Sequence, residues 1–127
     1  MTKTFAAILI VVVMMLASAL PGMAQTQTEV WRCEGVRGTG WGATLRSALM
    51  TEEIEGIEGF GSFEPDTLPP VLTVYELQGI DRVWSWVDGV WFYAFFIEPG
   101  GNGGYYSRLV EDIDSMRNDG FFTCTRQ

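Results

Sequence analysis

The sequence holds no histidine, one lysine and two cysteines, and each shortage closes a class of chemistry. The single lysine is Lys3, inside an amino-terminal segment that we expect to be removed, so the remaining chain has neither histidine nor lysine. Nucleophilic catalysis normally needs one of these as an activating base. A zinc site needs imidazole or several thiolates, and no cysteine is spare once Cys33 and Cys124 pair. A pair of carboxylates is enough for glycoside hydrolysis, yet nothing singles out one pair among 16 acidic residues. No catalytic residue, metal ligand or cofactor is therefore assigned from the sequence.

Long apolar runs are scarce as well, with one exception. Met1-Thr2-Lys3-Thr4 precedes an apolar run from Ala6 to Leu20, followed by Pro21-Gly22-Met23-Ala24. A positive start, an apolar middle and small residues at Gly22 and Ala24 form the layout of a secretory signal peptide. Pro21 stops the apolar helix just ahead of the cut. The run covers 15 residues, short of the ~20 a spanning helix needs. We expect residues 1–24 to be the signal, cleavage between Ala24 and Gln25, and no membrane anchor afterwards. Residues 25–127 then form one secreted or periplasmic domain, because removing 24 of 127 residues leaves 103, enough for one domain and not two.

Positive charge is the next scarcity. Seven arginines face 16 carboxylates once Lys3 leaves, a net charge of −9. Such a surface repels nucleic acid and anionic lipid and suits solubility or basic partners. Cys33 and Cys124 lie near the two ends of the domain, and an oxidising compartment favours their pairing. Asp112, Asp114, Asn118 and Asp119 cluster ahead of Gly120 with oxygen ligands of the kind calcium takes. Their spacing does not match a calcium-binding loop, and the bidentate glutamate is missing.

What is present is β-rich. Residues 29–33 and 121–125 read as the first and last strands. Val71–Leu77 is a β-branched strand, and Asp88-Gly89 is a strong hairpin signal between residues 82–87 and 90–97. Residues 35–42 and 99–103 are glycine-rich turns, and residues 56–70 read as an irregular acidic loop. Residues 43–55 are ambiguous. Ala43, Leu45, Ser47 and Leu49 alternate as a strand would, but Ala, Leu, Arg, Met and Glu favour a helix, and a helix is expected. Residues 111–119 are expected to hold one helical turn. The sum is a mainly β fold: a small antiparallel meander of five to seven strands, sandwich or barrel-like, with one or two short helices and one disulfide. A cysteine in the first strand and another in the last strand of a small exported meander resembles the general design of periplasmic hydrolase inhibitors, in architecture only.

The hairpin carries the one candidate site. Centred on Asp88-Gly89, it pairs Val87 with Val90, Trp86 with Trp91 and Trp84 with Tyr93. One face holds Val83, Val87, Val90, Phe92, Ala94 and Phe96, and the other holds Trp84, Trp86, Trp91, Tyr93, Phe95 and Ile97. Both faces are apolar, whereas a sheet with one wet face alternates. Either both faces are covered, with the tryptophans as core, or one is an exposed aromatic platform. Core is the reading the residues favour. The platform at Trp84, Trp86, Trp91 and Tyr93 is the best functional candidate, suited to a glycan or an apolar protein partner. The expected function is thus a small acidic exported binding domain. A structural envelope component without a ligand, and a carboxylate-based hydrolase, stand behind it.

Overall fold

A computed structural model describes residues 26–37, 40–50 and 58–127. The expected signal peptide and its Ala24/Gln25 cleavage site lie outside them. The described chain is all β: β1 (Thr26–Val36), β2 (Gly42–Met50), β3 (Glu58–Pro65), β4 (Val71–Gln78), β5 (Asp81–Asp88), β6 (Trp91–Ile97), β7 (Asn102–Leu109) and β8 (Asp112–Arg126). Each strand pairs antiparallel with the next, and β1 pairs with β8, closing an eight-stranded barrel. Closure gives every strand two neighbours and removes the long open edge that templates aggregation.

The closing seam carries the disulfide. Cys33 and Cys124 stand directly opposite each other on β1 and β8 and are bonded, with Cα atoms 4.0 Å apart. The bridge spans 91 residues of sequence. Restricting so long a loop in the unfolded chain is worth about 4–5 kcal/mol on chain-entropy grounds. The expectation of a small antiparallel barrel-like meander with one disulfide holds, and the described residues contain no helix.

Four local expectations are corrected. Residues 42–50 form a strand, because the alternation of Ala43, Leu45 and Ser47 places three buried side chains inside the barrel. Tertiary burial overrides helix propensity there. Residues 58–65, expected as loop, form β3. Residues 112–119, expected as a helical turn, belong to β8, which is bulged against β7. The β5–β6 register also differs: Asp88 pairs with Trp91, Trp86 with Tyr93 and Trp84 with Phe95. The two turn residues are therefore Gly89 and Val90. Gly89 has φ 61° and Val90 does not have positive φ, the φ pattern of a type II′ turn, with glycine at the first central position. Gly79 repeats the pattern at the β4–β5 turn. The turn moves by one residue on both arms, so every side chain keeps its expected face.

The barrel interior is aromatic. Phe63 on β3 meets Trp41, Trp86, Phe95 and Tyr105 at ring separations of 4.9–5.9 Å, reaching strands that are not its neighbours. Trp84 crosses the lumen and donates its indole N–H to the Arg46 carbonyl at 3.0 Å, which satisfies its one polar atom. At the end of the lumen where β1 begins, the Glu29 carboxylate accepts from Arg82 at 2.5 and 3.0 Å and from the Trp31 indole at 3.1 Å. These bonds, the Arg82 guanidinium first, hold the Glu29 carboxyl below its usual range against the opposing effect of burial.

Gly61 shows why β3 reads as loop by composition. The Trp84 ring lies over it, and a Cβ there would stand 2.5 Å from the Arg46 carbonyl oxygen and 2.6 Å from the indole. The carbonyl belongs to the backbone of β2 and cannot swing aside. Gly61→Ala is therefore expected to lower unfolding stability by about 1–3 kcal/mol, as overpacking does. Urea unfolding of the oxidised protein reads this directly.

Candidate functional site

The four expected platform residues do share one face, but closure turns that face inward. Trp84 is fully buried and packs on Tyr75 at 5.0 Å, so it belongs to the core. Trp86 and Tyr93 are half-buried and stack on each other at 5.5 Å, with Tyr105 about 6.1 Å from both. They lie inside the barrel, toward the end where β5 turns into β6. Only Trp91, next to that turn, reaches solvent substantially, at 36% exposure, and the Arg117 guanidinium lies over its ring at 5.9 Å. Asp119 accepts from the Ser107 hydroxyl at 2.5 Å and from Arg117 at 2.9 Å. The aromatic ladder is thus largely satisfied by its own neighbours.

The opposite face of the same hairpin is outside the barrel and open. Val83, Phe92, Ala94 and Phe96 from β5 and β6, with Tyr106 from β7 and Met116 from β8, line a groove of about 540 Å³. Its floor is aromatic: Phe96 stacks on Tyr106 at 5.3 Å with the planes 21° apart. Gly104 makes this arrangement possible, because the Phe96 ring lies in the space a Cβ at Gly104 would take. Val83 is only 7% exposed although it faces outward, which shows how deep the groove is at that point. One wall rises because the β8 bulges turn Ile113 and Met116 outward, where both remain exposed.

The two ends of the groove differ in charge. Arg108 closes one end, with its guanidinium 4.6 Å above the Phe92 ring and donating to the Leu109 and Val110 carbonyls at 3.0 and 3.1 Å. Asp81 and Glu98 line the other end.

The sequence places Phe92, Ala94 and Phe96 correctly on one face, but the platform candidate is the other face, at Trp84, Trp86, Trp91 and Tyr93. The further signal is glycine in β7: Gly103, which reads as turn, faces Cys124 and Phe95 inside the barrel, and Gly104 lies under the Phe96 ring outside. The acidic cluster at 112–119 is strung along a strand. Asp112 caps the Asp114 amide, Asn118 caps the Gly120 amide, and Asp119 is held by Arg117 and Ser107. Among the described residues, no group of three or more His, Cys, Asp or Glu side chains converges. Comparison with known protein families, with characterised proteins and with solved structures finds no match for this chain.

Tyr105 reports on how closed the inner face is. Burial, with Tyr93 and Asp119 nearby, pushes its hydroxyl up to about 12. Burial and then Glu29 also push the Tyr75 hydroxyl upward. Both folded-state values lie above the ordinary ~10 of an unfolded chain, so the stability they confer is intact below pH ~10 and is lost as pH rises through the folded values. The Tyr75 and Tyr105 hydroxyls should therefore ionise above the ordinary tyrosine range, which a pH titration of tyrosinate absorbance reads as a late stage. Tyr105→Phe should remove part of the late stage.

Proposed function

We propose that this chain is an exported binding module that meets a protein partner through the outer face of β5, β6 and β7. The observation that carries this reading is the open apolar groove at Phe92, Ala94 and Phe96 on a barrel whose core is already complete. Folding gives no reason for that surface to be apolar: the lumen is filled by the tryptophan face and by Phe63, Phe95 and Phe122. Open apolar patches on soluble domains mark interaction sites, and a groove of this volume lies in the range of ligand-sized sites. Export rests on the amino-terminal segment, and a disulfide fits an oxidising compartment.

The filled aromatic lumen and the ion pairs outside support a water-soluble barrel. Lipid-spanning barrels are polar inside and apolar outside. Here the lumen is aromatic, and the outer surface of β1–β3 carries the Arg46–Glu64 pair, while Arg32 bridges Glu34 and Asp66. No catalytic step is proposed.

A glycan-binding reading has one observation in its favour. Trp91 stands at the barrel rim beside Arg117 and Asp119, and a partly open indole next to hydrogen-bonding groups suits a sugar ring. One experiment separates the two readings. The mature domain is immobilised and challenged with exported proteins and with cell-wall polysaccharide. Saturable protein retention that is lost in Phe96→Ser and kept in Trp91→Ala supports the outer face. Polysaccharide retention with the opposite response supports the rim. Retention of neither leaves the structural envelope role in place of both.

A further inference from the structure

The groove is not neutral, and its charge says what kind of partner it fits. The β5–β6 ladder ends on the pair Arg82 and Ile97, and the next residue on each chain, Asp81 and Glu98, lines the groove at that end. Like charges brought to one end of a groove repel each other. Arginine relieves neither of them. Arg82 turns inward to Glu29, and Arg108 is held at the far end by two backbone carbonyls. Among the described residues, neither Asp81 nor Glu98 has an ion pair. Glu76, opposite Val83 on β4, adds a third carboxylate nearby, and Gln78 donates to it at 2.6 Å. The outer face thus combines an apolar aromatic floor with an uncompensated acidic end.

Resting on the outer-face reading above, we infer that the groove receives a segment of a partner protein that combines aliphatic side chains with a cationic one. The aliphatic side chains lie on Phe92, Ala94 and Phe96, and the cation sits between Asp81 and Glu98. The two carboxylates then each gain an attraction, which removes a repulsion the free protein carries. The caged Arg108 at the other end repels a second cation, so the polarity of the groove fixes the direction in which the segment lies. A second copy of this chain is a poor occupant. Residues 25–127 carry seven arginines against 16 carboxylates, a net charge of −9, and so acidic a surface is repelled by an identical one. β5, β6 and β7 are each paired on both sides, so the segment is held by side chains and not by strand addition.

The test uses the mature disulfide-bonded domain, labelled with ¹⁵N, and three capped peptides of equal length in which leucine alternates with lysine, glutamine or glutamate. The lysine peptide should shift the amide signals of residues 81–83, 92–98 and 104–108. It should bind about fivefold to tenfold more tightly than the glutamine peptide, as expected of two partly exposed charge pairs, and the glutamate peptide should bind most weakly. The double variant Asp81→Asn, Glu98→Gln should erase the advantage of lysine while leaving the glutamine peptide unchanged. It removes a repulsion, so its fold is expected to persist, and its thermal melt checks this. Phe96→Ser should weaken the lysine and glutamine peptides alike. An advantage for lysine that is absent, or that survives the double variant, overturns the assignment of charge. Equal groove binding by all three peptides does so too but leaves the outer-face reading standing. Self-association through this face, seen by size exclusion, overturns the choice of occupant. Shifts confined to the rim around Trp91 overturn both readings.

Discussion

Pairing β1 with β8 gives this chain an inside and an outside, and the β5–β6 hairpin is apolar on both faces. Closure decides which face is core. The lumen of an eight-stranded barrel is just wide enough to be filled by side chains, and here Trp84, Phe95, Phe63 and Phe122 fill it. The Cys33–Cys124 bond lies on the closing seam itself, so it ties the two ends of the domain where barrel formation is decided. With the tryptophan face inside, Val83, Phe92, Ala94 and Phe96 have no core left to enter. The partial exposure of Phe92, Ala94 and Phe96 follows from the same closure that buries Trp84.

Much of this was legible in the residues. The two cysteines, the β-branched runs and the glycine turns gave a small antiparallel meander with one bridge, and the hairpin faces were sorted correctly. Parity explains the last point: moving the turn from Asp88-Gly89 to Gly89-Val90 shifts the pairing by two and exchanges no side chain between faces. The failures have physical causes. Residues 42–50 look helical because propensity speaks for isolated segments, whereas the burial of Ala43, Leu45 and Ser47 depends on partners elsewhere in the chain. Gly59 and Gly61 made β3 look like loop. Gly61 is there because the Trp84 ring lies over it, a contact between residues 23 positions apart that no local pattern announces. The 112–119 stretch read as a helical turn because Ile113 and Met116 are spaced by three, whereas the chain there is the bulged part of β8.

The candidate site was half legible. Sequence logic asked which of two apolar faces is open and weighed the one richer in tryptophan. Size argues the other way once closure is known. Large rings such as Trp84 and Trp86 fill a lumen, where Trp84 also satisfies its indole N–H on the Arg46 carbonyl, while the smaller Phe92–Ala94–Phe96 face leaves a groove outside. The charge pattern of that groove needed the register, because Asp81 and Glu98 are distant in sequence and reach one end of the groove only through the ladder. Ion pairs punctuate the outer surface of β1–β3, and the outer face of β3 and β4 also exposes Phe60, Leu72 and Val74, so what sets the β5–β7 face apart is its concave groove and not exposure alone.

The orientation of the β5–β6 hairpin is the claim on which the rest stands, and hydroxyl-radical footprinting of the folded, oxidised domain reads both of its faces at once. Met116, Phe92, Phe96 and Tyr106 should be oxidised readily and Trp91 should follow, while Trp84 and Phe95 stay protected until the protein unfolds. Ready oxidation of Trp84 and Phe95 in the folded protein, with Phe92 and Phe96 protected, would reverse inside and outside and contradict the account.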